Sequence, residues 1–244
     1  MMKQGKAFKD GGKFSRVFSV RMRWYIWRLK SKNWRAREAA AKALGKIDAK
    51  EAIPHLIEAL KDKKVFVREA AEKALREIGF QEAIPYLQEA LKGEDTDVRK
   101  VSAYVLGRIG SKEAVPHLIE ALKDKDSYVR QAAAKALGEI GSKKAIPHLI
   151  EVLKDKYIDV RIAAAEALGE ISSKEVIPHL AEALKDEYRK VRMAAAKALG
   201  EIGSKEAVPH LMEALKDKFW SVREAAAEAL KKIKQQSQNH EEKF

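Results

Sequence analysis

Residues 111–141 read SKEAVPHLIEALKDKDSYVRQAAAKALGEIG, and this stretch decides the fold. Val115, Leu118, Ile119 and Leu122 recur at the i, i+3, i+4, i+7 spacing of one helical face. Pro116 falls in the first turn of that helix, where a missing N–H costs little, and Ser111 stands where a capping residue belongs. Lys123-Asp124-Lys125-Asp126 forms a turn. A second helix follows, with Val129, Ala132, Ala133, Ala136, Leu137 and Ile140 on its apolar side. Gly141 suits the left-handed position that ends it. A pair of such short helices cannot bury its own apolar face and needs neighbours.

The neighbours are present in the sequence. All 6 prolines fall 31 residues apart: Pro54, Pro85, Pro116, Pro147, Pro178 and Pro209. Arg37, Arg68, Arg99, Arg130, Arg161, Arg192 and Arg223 keep the same step. Two markers in one register divide residues 18–234 into seven units of 31. The expected architecture is all-α, a right-handed superhelical α-solenoid of seven 31-residue two-helix repeats. Residues 1–17 are expected to form a basic N-terminal segment and the start of a cap helix, with 1–13 flexible around Gly11-Gly12. A diverged capping repeat occupies 18–48, six repeats fill 49–234, and the polar tail 235–244, QQSQNHEEKF, is expected to be disordered.

The repeated elements Val-Arg, Ala-Ala-Ala, Ala-Leu-Gly and Ile-Pro-His-Leu-Ile-Glu-Ala-Leu-Lys-Asp resemble the short HEAT-like repeat of the phycobilisome-lyase type. They are also similar to artificial consensus binders built from that unit. The likeness is close over 49–234 and loose over 18–48. It implies a binding scaffold, since the family's members mostly bind other molecules. Its iron-dependent deoxyhypusine hydroxylase branch uses His-Glu pairs as metal ligands. Here the one His-Glu is His240-Glu241 in the tail, so the resemblance argues against that branch.

Charge is concentrated at one end. The chain carries 49 Lys and Arg against 36 Asp and Glu, and 12 of the bases but only Asp10 of the acids lie in residues 1–37. Such asymmetry points to a polyanion or an acidic surface. The chain has no cysteine, which excludes disulfides, thiolate metal sites and cysteine nucleophiles. Arg16, Arg21, Arg23 and Arg28 break every stretch that would serve as a signal peptide, and a cytoplasmic location is the expectation.

Several columns invite functional readings. The arginine column is read as structural: Asp62, Asp124, Asp155, Asp186 and Asp217 each lie six residues before an arginine, and such a pair can bridge the turn between the two helices. His55, His117, His148, His179 and His210 stand one repeat apart, too far to converge on one ion, so no metal or other cofactor is expected. No catalytic motif is present, and the chain is read as a non-enzyme.

Variable positions carry more. On the second helices one non-core stripe includes Tyr104, Ile158, Ile162, Met193 and Trp220. With Tyr128, these are the candidate partner-binding residues for a protein or peptide; in similar repeat proteins this helix lines the concave surface, where Ile158, Ile162 and Met193 would form an apolar island with Trp220 nearby. Tyr157, Tyr188 and Phe219 edge it at equivalent turn positions. In the cap, Trp24 and Trp27 fall at exposed registers among Arg16, Arg23, Arg28 and Lys30. Arginine interleaved with aromatics suits single-stranded nucleic acid, an anionic surface or an acidic protein. The sequence therefore predicts a non-catalytic protein-interaction scaffold, with polyanion binding by the N-terminal cap as the alternative.

Overall fold

The computed structural model describes residues 11–241, with the side chains of 19–79 and 81–238. Among them the regular structure is helical, and the contacts divide the chain into two compact units between Ala90 and Leu91.

The first unit holds α1 (Gly11–Arg28), α2 (Trp34–Lys46), α3 (Ile53–Ala59), α4 (Val65–Ile78) and α5 (Phe80–Ala90). Helix α2 packs against α1 and α4, and α3 packs against α4. Leu44, Leu56, Leu75 and Leu87 are fully buried. Leu29 of the cap helix is buried, while Met22, Tyr25 and Ile26 are half-buried, as expected of a terminal helix with one face toward water. The helix starts at Gly11, earlier than the sequence reading places it, and residues 1–10 lie outside the described residues.

The second unit holds α6 (Thr96–Ile109), α7 (Val115–Ala121), α8 (Ser127–Ile140), α9 (Ile146–Val152), α10 (Ile158–Ile171), α11 (Ile177–Ala183), α12 (Arg189–Ile202), α13 (Val208–Ala214) and α14 (Trp220–Glu241). The long second helices α6, α8, α10, α12 and α14 pack in succession, and each short first helix packs on the second helix that follows it. Leu118, Leu149, Leu180 and Leu211 of the first-helix layer and Leu106, Leu137, Leu168 and Leu199 of the second-helix layer are all fully buried. Each such leucine contributes roughly 1.5–3 kcal/mol. The second helices approach closely because glycine meets alanine. A β-carbon on Gly138 would stand 2.8 Å from the Ala167 Cα, and one on Gly169 equally close to Ala198.

One local expectation is corrected. Ser111 does not cap a helix: its hydroxyl donates to Glu113 at 2.8 Å, and a 3-10 turn at Lys112–Ala114 precedes α7. That turn recurs before α3, α9, α11 and α13. Helix α14 runs to Glu241, because Lys234 stands at the register where Gly110, Gly141 and Gly203 end the other second helices with positive φ, and residues 242–244 lie outside the described residues.

The arginine column is structural, but its carboxylate partners are not those of its own turn. Arg130 donates from Nε and Nη2 to Asp155 at 2.7 and 2.9 Å, 25 residues ahead in the next unit. Its Nη1 donates to the backbone carbonyl of Asp124, six residues behind. Arg37–Asp62, Arg99–Asp124 and Arg192–Asp217 repeat the fork, and Arg161 pairs with Asp186 through a single bond from Nη2 at 3.1 Å. The same carboxylates also accept backbone N–H groups two residues on, as Asp155 does from Tyr157. Arg99, Arg130, Arg161 and Arg192 are buried, so each fork links two units through a charge pair sheltered from water. Hydrogen bonding by Arg37 and Arg192 holds Asp62 and Asp217 below the usual carboxylate range. At Asp124 and Asp155 burial is the largest influence and opposes ionisation, but the bonds from Arg99 and Arg130, the backbone N–H of Asp126 and Tyr157 and the nearby positive charges together outweigh it and hold both carboxyls below their usual range.

Arg130→Ala is expected to cost about 3 kcal/mol, since it strands a buried carboxylate. Arg223→Ala is expected to change stability by no more than about 0.5 kcal/mol, because Arg223 is exposed and donates to the backbone carbonyl of Asp217. Urea denaturation of the two variants measures the contrast. A carboxylate with a depressed folded pKa contributes stability that is complete above its unfolded value of about 4 and vanishes as pH falls through the folded value. Stability should therefore hold from pH 7 to about 5 and decline below about 4, with a shallower decline in Asp155→Asn. Two substitutions should stabilise by about 1 kcal/mol each. Ser102→Ala removes a buried hydroxyl without a partner, and Ser172→Gly relieves a φ of 55°. Shifts in the urea midpoint at unchanged m-value would register both gains.

Candidate binding surfaces

Each second helix begins at a turn, and the residue just before it is placed to cap the free N–H groups. Asp95 and Asp126 do so: Asp126 accepts from the N–H of Tyr128 at 2.9 Å and of Val129 at 3.4 Å. The next three units carry Tyr157, Tyr188 and Phe219 at this position, and neither tyrosine makes a side-chain cap bond. Losing such a cap costs about 1 kcal/mol. The rings instead lie against the arginine forks. Arg130 sits 5.5 Å from the Tyr157 ring centre, Arg161 5.3 Å from Tyr188 and Arg192 5.6 Å from Phe219. Lys156 and Lys218 approach the Tyr157 and Phe219 rings from the turn at 5.1 and 5.3 Å. Tyr157 and Tyr188 remain 47% and 43% exposed, so burial does not account for them.

The second-helix stripe differs from its expectation. Ile158, Ile162 and Met193 are half-buried rather than an open apolar island. Trp220 is 66% exposed and Tyr128 62%, so the exposed apolar area lies toward the turns. Tyr104 is exposed and accepts from Arg108 Nη1 at 2.9 Å. Lys100 pairs with Asp97 at 2.9 Å. Farther along the stripe, burial and the nearby Glu139 and Glu166 hold the Glu170 carboxyl above its ordinary range. This part of the surface is acidic.

In the first unit Trp27 is 70% exposed, and Trp24, Arg23 and Lys30 are exposed as well. Arg28 is half-buried and lies 4.6 Å from the Trp24 ring centre. The side chain of Arg16 lies outside the described residues. The sequence reading missed one pair: Trp34 stacks on Phe66 at 5.4 Å and 24°, with Arg35 4.9 Å from the Trp34 ring centre. Both residues sit at the starts of second helices, and their 32-residue separation, one more than the repeat, was the available signal.

The histidine column lines grooves between successive first helices. His179 lies in one with Arg161, Asp186 and Glu182, and His117 in another with Arg99, Asp124 and Glu120. Equivalent grooves hold His55 and His210. Their recurrence ties them to the splay of the first helices.

Comparison with known proteins agrees with this architecture. No curated protein is significantly similar to the chain in sequence. Among solved structures, the YibA protein of Escherichia coli is 24% identical with a TM-score of 0.54, covering 96% of this chain and 99% of that one. An engineered protein is 25% identical with a TM-score of 0.51, covering 88% and 98%. The complex of CpcE and CpcF of phycocyanin lyase from Nostoc sp. PCC7120 matches at 26% identity and a TM-score of 0.46, covering 94% and 92%. The family model for HEAT repeats matches residues 22–104, 84–159 and 146–231. With its helix pairs, its arginine forks and these matches along most of its length, the chain belongs to the HEAT repeat family.

Proposed function

We propose that the chain is a non-catalytic scaffold that holds a protein or peptide partner on the second-helix side of residues 91–241. The observation that carries this reading is the set of exposed aromatic side chains, Tyr128, Tyr157, Tyr188 and Trp220, gathered where the second helices begin. Large aromatics at half exposure, flanked by charge, are the side chains that dominate binding energy at protein interfaces. Two of them stand where the fold itself favours a capping aspartate, so folding alone does not call for them. Ile158, Ile162 and Met193, half-buried beside them, add apolar area that a partner would finish covering.

The second reading is polyanion binding by α1, and the exposure of Trp24 and Trp27 beside Arg23, Arg28 and Lys30 favours it. The cations that would extend such a face are engaged locally. Lys42 bonds Glu38 at 2.6 Å, Lys100 bonds Asp97 and Arg108 bonds Tyr104.

Peptides selected from a random displayed library on the whole chain would test both readings by fluorescence anisotropy. The scaffold reading expects binders that lose about tenfold or more in affinity with Tyr128→Ser/Trp220→Ser and keep it with Trp24→Ser/Trp27→Ser. Binders with the opposite dependence and a steep fall with salt would move the function to the cap helix. A selection that enriches no binder would overturn the scaffold reading.

A further inference from the structure

The row of aromatics at the cap positions has a fixed step. Tyr157, Tyr188 and Phe219 lie 31 residues apart, one on each of three successive second helices. Successive packed helices stand ~8–10 Å apart, so the rings repeat at about that distance. A polyproline II helix rises 3.1 Å per residue with three residues per turn, which places every third side chain on one face at about 9.3 Å. The two steps are of the same size, about 9 Å, over three contacts.

The rings are also held in place before any ligand arrives. Each lies against an arginine that is itself fixed by a carboxylate fork and a backbone carbonyl, as Arg130 is by Asp155 and Asp124. Recognition of polyproline II segments by aromatic-lined surfaces depends on such preformed rings and on a ligand that loses little entropy. A polyproline II backbone has no internal hydrogen bonds, so its carbonyls face outward. The tyrosine hydroxyls and the indole N–H of exposed Trp220 are donors suited to them.

Charge selects among such ligands. The carboxylates of these turns, Asp155, Asp186 and Asp217, are taken up by arginines. Lys156, Arg189, Lys190 and Lys218 stand exposed around the row, against Asp159 and Glu187. The rim is therefore basic and complements acidic residues between the prolines.

We propose that Tyr157, Tyr188 and Phe219 form the docking row for an acidic, proline-rich peptide in the polyproline II conformation. The inference rests on the scaffold reading and names its ligand. Fluorescein-labelled (Pro-Pro-Glu)5 is titrated with the full chain and compared with (Gly-Ser-Glu)5, which has equal charge, with (Pro-Pro-Lys)5, and with oligothymidylate. The expected result is at least tenfold tighter binding of (Pro-Pro-Glu)5 than of any comparison probe. It is also expected to weaken at least tenfold in Tyr157→Ser/Tyr188→Ser. Serine restores a capping side chain at both positions, so this variant should melt no lower than the parent, and lost binding then reports the rings. Equal binding of (Gly-Ser-Glu)5 would reduce the effect to charge and overturn the proposal. Insensitivity to the double variant would also overturn it, as would tighter binding of oligothymidylate at the same row. If displayed peptides bind through Tyr128 and Trp220 while (Pro-Pro-Glu)5 does not bind, the scaffold stands and the ligand class fails.

Discussion

The structure depends on a single charged fork repeated along the chain. At Arg37, Arg99, Arg130, Arg161 and Arg192 an arginine near the start of a second helix reaches forward to an aspartate in the next turn, and it reaches backward to a carbonyl of its own turn. Leucines and alanines supply most of the burial, but apolar contact alone would let neighbouring units slide. The bidentate geometry of arginine and carboxylate fixes both distance and angle, and burial removes the competition of water. The glycine–alanine contact of the second helices is the apolar counterpart, since a single added methyl group would force them apart. Polar fork on one side and close contact on the other define how one unit follows the next.

Both devices change at one place in the sequence. Arg76 stands in the register of Gly45, Gly107, Gly138, Gly169 and Gly200, and Gly93 stands in the register of Asp62, Asp124, Asp155, Asp186 and Asp217. The division of the chain into two compact units falls between these positions. A repeat array with nearest-neighbour stability is the architecture in which such a local change need not disturb the units on either side.

The periodicity of the chain makes the helices, their order and most of the core legible from residue spacing alone. It also hides the pairing of the fork. In a 31-residue repeat, an aspartate six residues before one arginine is also 25 residues after the preceding one, so the column contains both pairings. The exceptions break the tie. Arg99 has Gly93 behind it and Asp124 ahead, and Arg37 has Ser31 behind it and Asp62 ahead. Both make the forward fork. These departures from the column are its most informative positions. Exposure is less legible than identity. Ile158, Ile162 and Met193 lie on the stripe the helix period assigns them, yet how closely the neighbouring helices approach decides how much of each side chain remains open.

The same logic of columns separates the two surfaces. Trp24 and Trp27 lie in a diverged first helix whose residues follow the repeat columns only loosely, so no column shows what their positions favour. Tyr157 and Tyr188 differ in this respect. They lie inside the array, with a unit on either side, at a position where Asp95 and Asp126 show what the helix start favours. The cation–π contact with the fork returns part of the lost capping energy, but it leaves nearly half of each ring in water. A side chain that weakens its own helix start and recurs at one register in consecutive units supports the proposed role at an interface. This is why the aromatic row, rather than the tryptophans of the cap, anchors the functional reading.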